Sequence, residues 1–338
     1  MTRFLNALVL TGFGLCGVST QAAAALPMVQ INVAGAEFNA KVLPGRPGYD
    51  FMFPSATYLD KWQAKGIKVV RVPITWERLQ PVLDGPLDAT YATLIDTLLS
   101  NAESKQMAVL LDIHNYGVYR KDPIGSAGVP YAAYQKFLSL VAERWHGSAG
   151  LHGYDIMNEP NGAADANWPS SAQAGINGVR AYDKVKPVYV EGRSWSSASQ
   201  WAKQNNDLLA LKDPADNLIF SAHLYLDSDA SGTYKSGPAA DFDPDIGVKR
   251  ATPFVEWLVQ NGKKGHIGEF GLPGNDPRWI DAGTRLLAYL NKNCVPLAYW
   301  AAGSLWGSYP LSVEPNASGD KPQWKMLEPF VSGNSACK

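Results

Sequence analysis

The sequence is poor in the residues that metal and redox sites use. It has 3 cysteines and 5 histidines among 338 residues, and none of them form a cluster with metal-ligand spacing. No glycine-rich phosphate or dinucleotide loop follows the first predicted strand, and no Gly-x-Ser-x-Gly elbow supplies a serine nucleophile. The sequence therefore predicts no metal and no cofactor, and it argues against nucleotide-dependent and serine-hydrolase chemistry.

A charge imbalance and internal repeats are also missing. The 30 basic and 31 acidic residues leave a net charge of −1, which offers no electrostatic footprint for nucleic acid or an anionic membrane surface. No repeat, low-complexity tract or Ser/Pro-rich linker divides the chain, so we expect one domain. We also expect this domain to be a monomer. Aromatic residues are abundant instead, because 11 Trp and 15 Tyr exceed what a core of this size requires.

The N-terminus has the features of a secretory signal peptide over residues 1–25. Arg3 supplies the positive charge, residues 4–18 the apolar stretch and residues 22–25 the small side chains of a cleavage site. The apolar stretch is too short and too rich in glycine for a membrane span. We therefore expect a secreted protein whose mature domain is 26–338 and has no membrane contact after cleavage.

The three cysteines divide between this leader and the mature domain. Cys16 raises the alternative of a lipoprotein, but the preceding Leu15 is not the small residue that lipidation favours. Cys294 and Cys337 remain after cleavage, and in an oxidising compartment they can form a disulfide. Two free thiols are the alternative.

Short apolar strands alternate with helical segments along the mature chain. The predicted strands cover residues 28–33, 67–72, 108–113, 151–157, 187–190, 217–224, 266–269 and 296–300. The clearest helical periodicity covers residues 91–102, with Asp88 as a possible N-cap. Eight strand-then-helix units favour an α/β fold, a closed parallel (β/α)8 TIM barrel in a single domain. An open doubly wound sheet is the alternative, and it fits less well without a glycine-rich loop.

Polar side chains recur where the predicted strands end. Two strands end in a glutamate, Glu159 within Asn-Glu-Pro and Glu269 within Gly-Glu-Phe-Gly. Other strand ends carry Arg71, His114, Asn158, His223, Tyr225 and Trp300. One such glutamate alone is more typical of a solvated loop or an ion pair. Because parallel strands bring their carboxyl ends to one rim, the sequence predicts a single shared site.

The two glutamates suit different tasks in paired-carboxylate chemistry. A general acid must stay protonated near the working pH, whereas a nucleophile must be charged and needs donors around it. Glu159 has no adjacent cation in the sequence, and Glu269 has Arg71 as a plausible partner. Cleavage of a glycosidic bond needs such a pair, set at about 5–5.5 Å for retention and about 6.5–9.5 Å for inversion of configuration.

These motifs, in this order and on these strands, resemble glycoside hydrolase family 5, the cellulase family. The resemblance covers nearly all of the mature chain. The segment Trp300-Ala-Ala-Gly-Ser304 is similar to the secreted microbial and fungal endoglucanases of that family. The resemblance implies an endo-β-1,4-glucanase that hydrolyses cellulose and related β-glucans by a retaining double displacement.

The resemblance also implies a role for each candidate residue. Glu159 would be the acid/base and Glu269 the nucleophile, with Asn158 on the sugar 2-hydroxyl. The supporting residues would be Arg71 and Tyr225 beside the nucleophile, His114 and His223 beside the sugar or as hydrogen-bond partners behind it, and Trp300 as the floor under the reacting glucose. For Trp300 the alternative is a core position.

Three more tryptophans follow strands two, five and eight. An indole offers a pyranose ring an apolar platform, so Trp76, Trp195 and Trp306 are candidate subsites for a long polymer, with core packing as the alternative for each. The polar segment 227–245 is too long for a simple connection and is expected on the site's rim.

Other functions remain open from the sequence. A β-mannanase, a xyloglucanase or a mixed-linkage glucanase would carry the same catalytic residues, since only subsite shape separates these specificities. A non-catalytic carbohydrate-binding barrel is disfavoured because both glutamates are present.

Overall fold

The computed structural model describes residues 27–334 and 336–337. Its strands are β1 (Val29–Val33), β2 (Val69–Ile74), β3 (Ala108–Ile113), β4 (Val118–Tyr119), β5 (Asp122–Pro123), β6 (Leu151–Asp155), β7 (Val188–Glu191), β8 (Leu218–Tyr225), β9 (Lys264–Gly271) and β10 (Leu297–Ala302). Eight of them form a closed barrel in the order β1-β10-β9-β8-β7-β6-β3-β2, with every neighbouring pair parallel. The predicted single-domain (β/α)8 barrel is confirmed, and the open sheet is excluded.

Helices follow the barrel strands along the chain. They are α1 (Ala56–Ala64), α2 (Trp76–Leu79), α3 (Ala89–Ser104), α4 (Tyr131–Trp145), α5 (Trp168–Tyr182), α6 (Arg193–Ser196), α7 (Trp201–Gln204), α8 (Ile246–Asn261), α9 (Pro277–Lys292) and α10 (Pro322–Leu327). The Asp88 side chain caps α3 by accepting a hydrogen bond from the backbone N–H of Tyr91, as predicted. Helix α8 begins seven residues before Pro253 and accommodates this proline in its interior.

The inside of the barrel has an apolar floor and a polar upper half. Val69, Leu110, Tyr189 and Ile219 form a buried cluster separate from the main core beneath the helices. Since side chains alternate along a strand, the next inward positions on β2, β3 and β7 are Arg71, Asp112 and Glu191, all fully buried. The polar residues are therefore stacked above the apolar floor towards the carboxyl ends of the strands.

The chain's end is tied to the turn before β10. Cys294 and Cys337 form a disulfide, which confirms the predicted pairing. The proposed signal peptide, 1–25, and Cys16 lie outside the described residues, so cleavage and lipidation stay predictions. Within residues 27–334, no helix combines the length and the apolar character needed to cross a membrane.

Candidate active site

Arg71 lies at the centre of the polar half of the barrel. Its strand, β2, continues to Ile74, so Arg71 is an inward-facing residue in mid-strand rather than at the strand's end. Its guanidinium contacts Asp155 Oδ2 (2.8 Å), Asn32 Oδ1 (2.9 Å), Asn158 Oδ1 (2.9 Å), Glu191 Oε1 (3.0 Å), Asp112 Oδ2 (3.1 Å) and Glu269 Oε1 (3.2 Å). A planar guanidinium has five N–H donors, so one residue can order many acceptors at once.

Four carboxylates surround this one permanent cation, and two histidines lie close to the same carboxylates. Burial opposes the charge of His223, but the carboxylates of Glu191 and Glu269 raise its pKa well above the usual range. Burial likewise opposes the charge of His114, but Asp112 and more distant carboxylates raise its pKa to about 9. The surrounding carboxylates therefore favour the charged form of both histidines, and this form offsets part of the buried negative charge.

Glu269 has the surroundings that an anionic nucleophile needs. It is buried in β9, where its Oε2 accepts a hydrogen bond from the Tyr225 hydroxyl at 2.7 Å and its Oε1 accepts one from Arg71. Burial and the neighbouring carboxylate of Glu269 raise the pKa of Tyr225 well above its usual range, so the hydroxyl keeps its proton as a donor. The predicted contacts of Arg71 and Tyr225 with Glu269 are present.

Glu159 follows β6 in a left-handed backbone conformation, with φ of 44°. Its Oε1 lies 2.7 Å from His223 Nδ1, and its side chain remains 17% exposed towards the rim. One carboxylate oxygen of Glu159, one carboxylate oxygen of Glu269 and one ring nitrogen of His223 all lie within 4.8 Å of one another. This close approach fits the short carboxylate separation of a retaining glycosidase better than the longer separation that seats a water for inversion.

The same three side chains carry atoms of the kinds that ligate metal ions. In the described residues, however, both His223 nitrogens face carboxylates, Nδ1 towards Glu159 and Nε2 towards Glu191 at 2.9 Å. Glu269 already accepts from Tyr225 and Arg71. The arrangement is a hydrogen-bond network that leaves Glu159 facing the rim.

His114 and Trp300 form the other side of the site. His114 Nδ1 lies 2.7 Å from Asp112 Oδ2, and Nε2 lies 3.2 Å from the Tyr116 hydroxyl. The imidazole is nearly parallel to the indole of Trp300, with ring centroids 5.7 Å apart and planes 13° apart. Trp300 is half-buried near the end of β10, so one part of the indole is open to the rim.

Stability should depend on pH through His114. Its pKa is raised from 6.5 to about 9 in the folded protein, so its stabilising contribution is complete below pH 6.5 and disappears as the pH rises through 9. We expect urea unfolding of wild type and His114→Asn to differ by on the order of 3 kcal/mol at pH 6 and by little near pH 9.5. A difference that stays constant with pH would contradict this prediction.

The tryptophans predicted as sugar platforms have different environments. Trp195 is 56% exposed beside Glu159, on the wall of a cavity of about 540 Å³. Trp306 is half-buried, stacks on Tyr309 at 4.3 Å and meets Trp300 edge-on at 5.9 Å. Both stay candidates for contact with substrate.

The prediction for Trp76 was wrong, because this residue belongs to the core. Strand β2 continues two residues beyond its predicted end, and Trp76 opens α2 with no exposed surface. Its indole stacks on Phe137 at 4.7 Å and packs against Tyr119 and Tyr134, while Nε1 donates to Gln80. No face remains for a sugar.

Trp76→Ala and Trp300→Ala should therefore separate stability from activity. Removing the buried indole should lower the free energy of unfolding by about 3–5 kcal/mol. Trp300→Ala should change the melting temperature little and lower kcat/KM on soluble cellulose by on the order of 10²-fold. Denaturant unfolding and initial-rate assays on the same preparations check both; unfolding of the Trp300 variant would place that indole in the core.

The long connection after β8 reaches the site, as predicted for 227–245. Its first residues form a turn in which Asp227 accepts from the backbone N–H groups of Gly232 and Tyr234. The Tyr234 hydroxyl accepts from Leu226 N at 2.9 Å and donates to Gly271 O at 2.6 Å, joining the ends of β8 and β9. Asp229 and Ser231 line the same cavity as Glu159. The turn is thus a wall of the site.

Four buried residues of the network were missed as site residues by the sequence analysis. They are Asn32, Asp112, Asp155 and Glu191, each on an inward-facing position of an apolar strand. The signal was present, because a carboxylate inside an otherwise apolar strand is costly unless it is paired. Asn32 and Asp112 lie within their strands, whereas Asp155 and Glu191 are the last residues of β6 and β7.

The sequence and the fold are similar to those of known proteins. Residues 31–305 match the cellulase family, glycosyl hydrolase family 5. A probable endo-β-1,4-glucanase B of Neosartorya fischeri is 33% identical over 306 residues, which span 89% of this chain and 90% of the relative.

Two solved structures are similar over nearly their whole length. Endoglucanase Cel5A of Pseudomonas stutzeri, in complex with cellobiose, is 42% identical, with a TM-score of 0.87 over 90% of this chain and 92% of that chain. The endo-β-1,4-glucanase Xac0029 of Xanthomonas axonopodis pv. citri is 33% identical, with a TM-score of 0.84 over 91% of this chain and 99% of that chain. The similarity thus spans the barrel and its rim together.

Proposed function

This chain belongs to glycosyl hydrolase family 5, the cellulase family, and on that basis we propose that it is a secreted, retaining endo-β-1,4-glucanase. The observation that carries the proposal is the pair formed by Glu159 and Glu269, with oxygens within 4.8 Å at the open rim of the barrel. The partner is a β-1,4-glucan chain such as cellulose. The relatives named as endo-β-1,4-glucanases support this substrate.

In the first step, the Glu269 carboxylate attacks the anomeric carbon and Glu159 protonates the departing glycosidic oxygen. Tyr225 and Arg71 each donate a hydrogen bond to one oxygen of Glu269. These two bonds orient the nucleophile and restrict its side chain to one rotamer. In the second step, Glu159 takes a proton from a water molecule whose oxygen attacks the anomeric carbon, and the bond to Glu269 breaks and releases its carboxylate. The sugar leaves with its original β configuration after two inversions.

Asn158 is set up to recognise the sugar. Its Oδ1 accepts from Arg71 at 2.9 Å, which fixes the amide orientation, and its Nδ2 has no partner among the described residues. A buried amide donor without a partner is costly. A substrate 2-hydroxyl that accepts from Nδ2 would remove that cost and strengthen as positive charge develops on the ring.

The two sides of the cleft have different tasks. Trp300 and His114 border the reacting sugar, and the cavity lined by Trp195 lies on the side of the acid/base Glu159, where the leaving group departs. A cavity of about 540 Å³ accommodates one or two sugar rings rather than a small alcohol alone. Occupied positions on both sides of the cut are what internal cleavage of a polymer requires.

A product time course tests the proposal. With carboxymethyl-cellulose, viscosity should fall much faster than reducing ends accumulate, and proton NMR should show the β-anomer first. Galactomannan, xyloglucan and mixed-linkage glucan serve as competing substrates. Faster cleavage of galactomannan than of carboxymethyl-cellulose would show a mannanase instead. Early release of the α-anomer would exclude the retaining mechanism. If no glycan released reducing ends, the protein would be a non-catalytic binding barrel.

Export and assembly form a separate part of the proposal. We propose that residues 1–25 are removed on secretion and that the mature protein, 26–338, is a monomer. N-terminal sequencing of protein from the culture medium and light scattering of the purified protein test the two statements. An intact Met1 or a dimer mass would contradict the respective one.

A further inference from the structure

Glu191 links the acid/base residue to the rest of the polar network. It ends β7, and its side chain is fully buried. Its Oε1 accepts from His223 Nε2 at 2.9 Å and from Arg71 at 3.0 Å, and its Oε2 accepts from the backbone N–H of Glu159 at 2.7 Å. Both oxygens of Glu191 therefore bind groups that lie next to the reacting atoms, although the Glu191 side chain itself is not exposed to the cleft.

The contact with Glu159 restrains its backbone. A residue with a Cβ in the left-handed region is strained by about 1–2 kcal/mol, and Glu159 adopts φ of 44°. Its N–H points at Glu191 Oε2, a charge-assisted bond that compensates the strain only in this conformation. The direction in which the Glu159 side chain leaves the backbone thus depends on Glu191.

The contact with His223 restrains the Glu159 side chain. With Nε2–H donating to Glu191, the ring presents Nδ1 to Glu159 Oε1 at 2.7 Å. Without that acceptor, the ring loses the contact that fixes its rotation. Glu159 is therefore held at its backbone directly and at its carboxyl through His223, both from one carboxylate.

We propose that Glu191 is a positioning residue for Glu159, which sets its carboxyl for proton transfer in both steps. This inference rests on the proposed role of Glu159 as the acid/base. The end of β7 has anchors besides the Glu191 side chain: Trp168 Nε1 donates to the Glu191 carbonyl at 2.7 Å, and Gly192 N donates to Ser196 Oγ at 2.8 Å. Arg71 also keeps three other carboxylates.

Glu191→Gln tests the inference with a series of aryl β-cellobiosides whose leaving groups range from dinitrophenol to phenol. The value of kcat/KM reports the first step, in which only poor leaving groups need a proton. We expect a loss of on the order of 100-fold for the phenyl substrate and less than about threefold for the dinitrophenyl substrate. An equal loss across the series would overturn the proposal.

Two further variants separate the possible failures. Asp155→Asn is the matched control, because Asp155 is an equally buried carboxylate on Arg71 with no contact to His223 or Glu159, so its loss should be uniform across leaving groups. Glu159→Gln should steepen the leaving-group dependence at least as much as Glu191→Gln. If Glu159→Gln leaves it flat, the acid/base assignment fails; if only Glu191→Gln leaves it flat, the positioning role alone fails.

Folding is checked by near-UV circular dichroism of each variant. Should Glu191→Gln not fold, Glu191→Asp keeps the charge but withdraws both oxygens by about one methylene. The same steepened dependence, smaller in size, is then expected, and a flat series with Glu191→Asp would overturn the proposal.

Discussion

Glu269→Gln should lose hydrolysis of every substrate, whether polymer or aryl glycoside, with kcat falling by on the order of 10⁴-fold or more. An amide is isosteric but cannot form the glycosyl-enzyme, and a better leaving group cannot replace a missing nucleophile. Tyr225 and Arg71 still face the side chain, so the fold should be kept. Initial rates on carboxymethyl-cellulose and dinitrophenyl cellobioside measure the loss, with circular dichroism as the folding control.

Small anions give the stereochemical check on that variant. In Glu269→Ala, space for azide opens on the face that the nucleophile occupied, so azide should attack there and give an α-glycosyl azide. A β-glycosyl azide from this variant would reverse the assignment of the two glutamates.

Glu159→Gln should lose activity according to the leaving group. A natural glucan needs a proton on its departing oxygen, so its hydrolysis should fall by on the order of 10²–10⁴-fold. Dinitrophenolate leaves without a proton, so formation of the glycosyl-enzyme should survive while its hydrolysis becomes slow. A burst of dinitrophenolate followed by a slow steady state is the expected time course.

Azide should then rescue turnover of the Glu159→Ala variant, because it attacks the glycosyl-enzyme without help from a base. The product should be a β-glycosyl azide, since two inversions have occurred. Equal losses for dinitrophenyl and phenyl substrates, with no rescue by azide, would remove Glu159 from its acid/base role.

Much of the fold could be predicted because the relevant signals are local. A strand such as β3, Ala108–Ile113, is a short apolar run between polar connections, and Asp88 before an amphipathic segment is a capping signal. When this strand-then-helix pattern repeats eight times, few topologies other than a closed parallel barrel are compatible with it. Once the barrel is assumed, strand-end glutamates such as Glu159 and Glu269 must share a rim.

The sequence predicted the end of the second strand wrongly, because contacts in the folded barrel extend that strand. The predicted second strand ends at residue 72, directly before Pro73, which lacks an N–H for the ladder. In the barrel, β2 continues through Pro73, which pairs in register with Asp112. That shift of two residues turned Trp76 from an expected loop position into a buried one, whereas Trp195, with the same kind of sequence context, is exposed.

The amino-acid sequence by itself determined the barrel, the position of the two glutamates at its rim and the two cysteines of the disulfide, since each follows from residue type and position along the chain. Only the tertiary structure decided that Asp112, Asp155 and Glu191 meet on Arg71. These residues come from four different strands, and Glu191 lies 120 positions from Arg71. Burying several carboxylates is possible only when closure of the barrel brings their shared cation between them, and no stretch of sequence contains that convergence.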